Sequence, residues 1–206
     1  MICEDGVRLE EEEEEASKNG AAFLGKGLMD ARTILISDPV DHKLTAKVMS
    51  QLLFLDHQDA EAPIKIFINS PGGSVYDGFA IYDMIRLVRP KVVIISAGLS
   101  ASAATVIMLA AEKEDRLALP NARIMIHQPS GGFQGQASDI EIHAQEILNL
   151  KKRLNQLYVK HTGQKIAVIE KNMERDNFMD ASKAKEFGIV DDVIEHRGAA
   201  EAKEKK

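Results

Sequence analysis

A chain of 206 residues, 45% of them hydrophobic, suffices for one substantial core but not for two comfortable domains and a linker. A formal net charge of −6, with only a mixed-charge cluster at Lys151-Lys152-Arg153, sets nucleic acid aside as a partner. The single Cys3 excludes an internal disulfide and a thiolate cluster, and the lack of a membrane-length apolar run or a secretory leader at Met1–Asp5 leads us to expect a cytoplasmic protein with no membrane partner.

The first thirty residues differ from the rest. Glu10 through Glu15 are consecutive acids, followed by Ser17, Lys18, Asn19, Gly20, Gly25 and Gly27. Like-charge repulsion and the lack of apolar spacing predict a mobile, solvated arm over residues 1–30. Thr33-Ile34-Leu35-Ile36 reads as the first core strand, stopped by Ser37-Asp38-Pro39. Asp41 is placed to cap a helix whose three-and-four repeat buries Leu44, Val48, Leu52 and Leu55. A second strand, Ile64–Ile68, runs into Asn69-Ser70-Pro71-Gly72-Gly73-Ser74, and a helix carrying Phe79, Tyr82, Met84, Ile85 and Val88 follows.

A third strand, Val92-Val93-Ile94-Ile95, leads through the small-residue stretch Ala97–Thr105 to a helical run ending near Ala111. Two successive strand–turn–helix units, at 64–88 and 91–112, predict parallel strands whose turns share one sheet edge, where ligand chemistry tends to collect. A small-residue turn at a helix start also sets a hydroxyl beside free backbone N–H groups, which suits a nucleophile attacking a carbonyl. Ser100, Ser102 and Thr105 all lie in or near that turn, and the stretch alone does not choose among them. Neither glycine turn has the GxxxxGKS/T or GxGxxG spacing of a nucleotide loop, so no internal ATP or nicotinamide site is expected.

Short strands at Arg116–Leu119 and Arg123–Ile126 come next, the second delivering His127 to the same edge. Ser130–Gln136 is glycine-rich and suits either a flexible loop or an extended edge that pairs with a peptide backbone. Residues 137–161 contain neither proline nor glycine and predict a helix of about 37 Å, long enough to leave one compact core and pack on another subunit. Its apolar stripe is Ile140, Ala144, Ile147, Leu150, Leu154 and Leu157, with Glu141, Glu146, Lys151, Lys152 and Arg153 on other faces. Thr162-Gly163 stops it. Helices at about 166–174 and 181–187, a return to the core over Ile189–Ile194 and a flexible tail at 198–206 complete the chain.

Four segments in this order, Asn69-Ser70-Pro71-Gly72-Gly73, the turn through Ser102, Met125-Ile126-His127-Gln128-Pro129 and Glu174-Arg175-Asp176, resemble the proteolytic subunit of the ATP-dependent Clp proteases. Gln134–Ala144 strengthens the resemblance, which spans about Arg32 to Arg197. It implies a crotonase-like α/β fold, a single serine peptidase domain over 31–197 and a handle at about 130–161. By the same resemblance Ser102 is the nucleophile, His127 the general base and acid, and Asp176 the orienting acid, with the N–H groups of Gly73 and Ala103 as oxyanion hole. Gly131, Gly132, Phe133, Gln134 and Gly135 would bind substrate backbone, and Arg175 would sit at an oligomer contact. Leu53, Phe67, Leu87 and Leu117 would accept loops of a hexameric AAA+ unfoldase. The implied assembly is two stacked heptameric rings, open to a paralogous subunit, that cleave unfolded polypeptides in an internal chamber. The chain itself needs no cofactor or metal; ATP is used by the unfoldase.

Three departures stand out. The family commonly reads Ser-Met-Gly at the nucleophile, and this chain reads Ser102-Ala103-Ala104. Ala103 keeps its N–H, whereas the Ala104 methyl is tolerated only if the local backbone is helical. Lys65 replaces a commonly aromatic docking position, and the acidic run stands where pore loops are usual. The rivals are a catalytically silent subunit of a mixed ring and, more remotely, a crotonase-like acyl-CoA enzyme.

Overall fold

The computed structural model describes residues 23–195. The Glu10–Glu15 run and the 198–206 tail lie outside the described residues. Residues 23–30, within the stretch expected to be a mobile arm, form a helix, α1, with Met29 packed on the core and Phe23 and Leu24 exposed.

Strand β1 (Thr33–Ile36) is followed by α2 (His42–Gln58), β2 (Ile64–Ser70), α3 (Val75–Leu87), β3 (Val92–Ala101) and the short α4 (Ala103–Met108). The Asp41 carboxylate accepts from the Leu44 N–H at 2.8 Å, and the stripe Leu44, Val48, Leu52 and Leu55 is buried as its spacing requires. Each such side chain contributes about 1.5–3 kcal/mol and the cap about 1 kcal/mol, so burial rather than capping sets where α2 lies. Strands β1, β2 and β3 pair in parallel, with Ile66 opposite Ile94 and Ser70 opposite Ser100. Val92 through Ser96 are all buried, the continuous apolar run of a strand covered on both faces.

After α4 come β4 (Arg116–Ala118), β5 (Arg123–Ile126), α5 (Ala137–Thr162), α6 (Ile166–Met173), β6 (Asn177–Asp180), α7 (Ala181–Phe187) and β7 (Asp192–Val193). The ten-residue β3 serves two neighbours: Ile94–Ser96 pair with β4, and Leu99–Ala101 pair with β5. β6 adds to β5 in the antiparallel sense, with Asn177 opposite Ile126. Repeated strand–helix units and one long helix make this a crotonase-like α/β fold.

Helix α5 leaves the core as it runs toward its N-terminus. Leu154, Asn155 and Tyr158 are buried, while Ile140 and Leu148 stand 43% and 52% exposed. Gly163 ends it in the left-handed conformation, φ 73°. Lys151, expected off the apolar stripe, is half-buried in the row Lys151-Leu154-Asn155-Tyr158, whose other members are buried. Arg153 is exposed as expected, with its guanidinium 4.2 Å from the Phe79 ring centroid.

At the other end of α5, the Arg116 side chain, 4% exposed, pairs with Asp191 and also donates to the carbonyls of His161 (3.0 Å) and Gly188 (3.2 Å). One guanidinium thus ties β4 to the ends of α5 and α7. The docking expectation for Leu117 needs correction. Its side chain is 1% exposed and packs with Val93, Ile95 and Ile194, so it is part of the sheet's second apolar cluster and offers no surface. Leu53 and Leu87 are 51% and 72% exposed, and Phe67 is half-buried against that cluster.

Candidate active site

The stretch expected to be a turn from Ala97 to Thr105 is mostly strand. β3 continues to Ala101, α4 begins at Ala103, and Ser102 alone makes the corner with φ 56° and ψ −121°. A non-glycine residue held there costs on the order of 1–3 kcal/mol, sustained by what surrounds it. Here the Ser102 N–H donates to the Met125 carbonyl at 2.9 Å, and Thr105 Oγ1 lies 3.1 and 3.0 Å from the Ser100 and Met125 carbonyls. The corner is therefore sewn to β5, the strand that carries the histidine.

The three hydroxyls now separate. Ser100 is neither cap nor turn residue: it lies within β3, buried, its Oγ 2.7 Å from Ser96 Oγ. Thr105 is consumed by its two carbonyls. Ser102 Oγ stands 2.8 Å from His127 Nε2, and His127 Nδ1 stands 2.9 Å from Asp176 Oδ1. With Nδ1–H donating to the Asp176 carboxylate, Nε2 is left to accept the serine proton. The other two members of the relay come from different elements: His127 follows the last residue of β5, and Asp176 precedes β6, whose register with β5 sets the two side by side. Sequence reasoning missed β6 because four residues, Asn177-Phe178-Met179-Asp180, carry too little alternation to announce a strand.

The glycine loop approaches the same corner. Val40 N–H bonds the Gly72 carbonyl at 2.9 Å and Ser74 N–H bonds the Val40 carbonyl at 2.8 Å, so the loop is pinned on both sides of Gly73. Among the described residues no hydrogen bond uses the N–H of Gly73 or of Ala103. Gly72, with φ 85°, closes against the nucleophile corner: a Cβ there would overlap the Ala101 carbonyl and lie 2.8 Å from Ser102 Cβ and 3.0 Å from Ala103 N. The paired glycines were legible in the sequence; that both must be bare, Gly72 against the Ala101 carbonyl and Gly73 against the Val40 carbonyl, was not. Ala104 is buried inside α4, with helical backbone, so its methyl sits where alanine is favoured.

Two hollows flank this relay. A cleft of about 580 Å³ runs between the Gly73–Tyr76 segment and α5, lined also by Pro129, Gly131, Phe133 and Ile147. Of the expected substrate segment, Gly131 and Phe133 line it; Gly132, Gln134 and Gly135 are exposed beyond. A second hollow of about 10 Å³, among Val75, Ala103, Val106, Leu154 and Met173, adjoins Ser102 and His127. Arg175 is exposed next to Asp176.

Other titratable groups have other duties. Asp180 caps α7 by accepting from the Lys183 N–H at 2.8 Å. His143 stacks on Phe133, centroids 4.3 Å apart. His161 Nε2 lies 2.7 Å from the Tyr82 hydroxyl, and burial, with the charges of Arg116, Lys160 and Arg86 adding, pushes its pKa down to about 4. Among the described residues no group of three or more His, Cys, Asp or Glu side chains is placed to hold a metal ion, and no helix is long and apolar enough to cross a membrane.

A hydroxyl, an imidazole and a carboxylate in hydrogen-bonded series are the apparatus of a serine-type hydrolase. The Clp protease family model matches residues 17–197. A solved structure of a mutant ClpP1 from Listeria monocytogenes superposes with a TM-score of 0.80 at 43% identity, over 86% of this chain and 99% of that one. The chain belongs to the Clp protease family and is an enzyme of the serine endopeptidase class.

Proposed function

We propose that Ser102, His127 and Asp176 cleave peptide bonds of unfolded polypeptides inside a chamber built from copies of this chain. The single observation that carries the reading is the unbroken relay, 2.8 Å from Ser102 Oγ to His127 Nε2 and 2.9 Å from His127 Nδ1 to Asp176. As Ser102 Oγ attacks the scissile carbonyl, His127 takes its proton; Asp176 holds the ring in the required tautomer and stabilises its cation. The carbonyl oxygen, now an anion, accepts from the Gly73 and Ala103 N–H groups, each worth about 3–4 kcal/mol in the transition state. His127 then returns its proton to the leaving amine. The acyl ester on Ser102 is hydrolysed by water through the same steps.

Gly131, Gly132, Phe133, Gln134 and Gly135 serve as the edge along which substrate backbone lies, supported by the cleft that Gly131 and Phe133 line. Assembly into two stacked heptameric rings, with or without a paralogous subunit, rests on the family membership and on α5. Its outer half exposes Ile140, Ile142 and Leu148, which a lone chain gains nothing by showing to water. Arg175, exposed beside Asp176, contributes to the contact between rings. A hexameric AAA+ unfoldase, which uses ATP, feeds the chamber by docking on Leu53, Leu87 and the half-buried Phe67. The peptidase domain spans 31–197, with 130–161 as handle.

The intact relay and the helical Ala104 favour an active subunit over a silent one. The test is hydrolysis of a short, unstructured fluorogenic peptide by oligomer of verified size, beside Ser102→Ala at matched assembly. Turnover lost only in the variant supports the reading. Equal turnover by both would refute it, and intact rings without turnover from either would return the silent-subunit reading.

A further inference from the structure

Asp176 is the least supported member of the relay. Its side chain is 62% exposed, and among the described residues the only hydrogen bond it makes is the one to His127. It ends an irregular segment, Glu174–Asp176, between α6 and β6. A carboxylate at such a position holds its angle to an imidazole only if that backbone is held.

The holding group is Gln128, the residue after His127. Its N–H donates to the Met173 carbonyl at 2.6 Å, and its Nε2 donates to the Glu174 carbonyl at 2.9 Å. The amide orientation is set by its neighbours, since a carbonyl oxygen must face Nε2 and an ammonium must face Oε1. That ammonium is Lys151, 2.7 Å from Gln128 Oε1 and 3.4 Å from Glu174 Oε2. Lys151 lies in the inward row of α5, where the helix departs from the core, with its side chain 30% exposed. A lysine drawn partly out of water beside buried residues is costly unless its charge is used. Here it closes a ring of hydrogen bonds over the segments that carry His127 and Asp176.

We infer that Lys151 is a positioning residue: through Gln128 and Glu174 it holds the backbone that aims the Asp176 carboxylate at His127, and so ties the geometry of the relay to the course of α5. The inference rests on the catalytic reading given above. Without the ammonium, Gln128 Oε1 loses its donor and the amide is free to leave the Glu174 carbonyl. Asp176 then drifts from Nδ1, while the cleft that binds substrate is untouched. The loss therefore falls on kcat, and misplacement on the ångström scale costs on the order of 10²-fold.

The experiment compares wild type, Lys151→Met, Lys151→Arg and Ser102→Ala as size-verified oligomers. It reads fluorogenic-peptide kcat and KM, and the rate and final extent of Ser102 labelling by a fluorophosphonate. Lys151→Met is expected to lower kcat and the labelling rate roughly ten- to hundredfold, with KM within about twofold and labelling still reaching every subunit. Lys151→Arg, which keeps a cation and its N–H donors, is expected to recover most of the rate. Slow labelling of a full complement of sites marks misaimed chemistry, whereas a reduced complement at the wild-type rate would mark a merely structural lysine and overturn the proposal. An unchanged kcat in Lys151→Met, or an arginine variant no better than methionine, would also overturn it. Equal turnover by wild type and Ser102→Ala would instead refute the catalytic reading on which the proposal stands.

Discussion

Replacing Gly72 by alanine tests whether the glycine loop and the nucleophile corner are built as one unit. Two effects add. At φ 85° a side chain brings a backbone cost of about 1–2 kcal/mol wherever it occurs. The new Cβ would also overlap the Ala101 carbonyl and crowd Ser102 Cβ and Ala103 N at 2.8 and 3.0 Å, and none of these atoms can yield, being backbone or the nucleophile's own stem. The loop must retreat, and the next N–H along it belongs to Gly73. Misplacing one oxyanion donor costs about 3–4 kcal/mol of transition-state stabilisation, a fall in kcat of roughly 10²–10³. Gly163→Ala supplies the control: its φ is 73°, but nothing lies within 4 Å of the new methyl. Gly163→Ala should lose about 1 kcal/mol or somewhat more by urea denaturation and Gly72→Ala more than that, and only Gly72→Ala should lose peptide turnover, with KM nearly retained. A Gly72→Ala oligomer that turns over peptide within about threefold of wild type would refute the reasoning.

Three further outcomes follow from single contacts. Asp191→Ala strips the Arg116 guanidinium, 4% exposed, of its carboxylate, and about 3–5 kcal/mol of stability should disappear, measured as the urea midpoint at pH 7.5. His161 is neutral in the fold, with its pKa held near 4 by burial, whereas in the unfolded chain it titrates near 6.5. Its contribution is thus intact above about pH 6.5 and is lost as pH falls toward 4, by up to about 2 kcal/mol at pH 5; a His161→Gln oligomer, unable to titrate there, should show a shallower decline in denaturation midpoint over that range. Ala104→Gly restores the residue common in the family at a helical, buried position, and should cost about 1 kcal/mol in stability without raising kcat, read from the same denaturation and turnover assays.

What the sequence alone determined was the local grammar. The Asp41 cap, the buried row of α2, the isoleucine-rich strands, the two glycine-bearing turns and the uninterrupted length of α5 each follow from residues close together in the chain, because periodicity and turn chemistry are short-range signals. These sufficed for a parallel α/β fold with its chemistry at one edge, and the ordered segments carried the family resemblance. Local spacing did not separate Ser100, Ser102 and Thr105, and only the resemblance pointed to Ser102. Their surroundings differ because β3 runs on to Ala101 and pairs with β5, turning Ser100 toward Ser96, giving Thr105 two carbonyls and leaving Ser102 at a corner facing His127. The antiparallel β6 likewise owes its existence to the edge of β5 rather than to its own four residues, and through it Asp176 reaches the histidine. Burial of Leu117, the inward place of Lys151 and the reason Gly72 must lack a side chain are all facts about neighbours distant in sequence. A pattern along the chain records which face a residue prefers; only packing decides what stands on the other side of it.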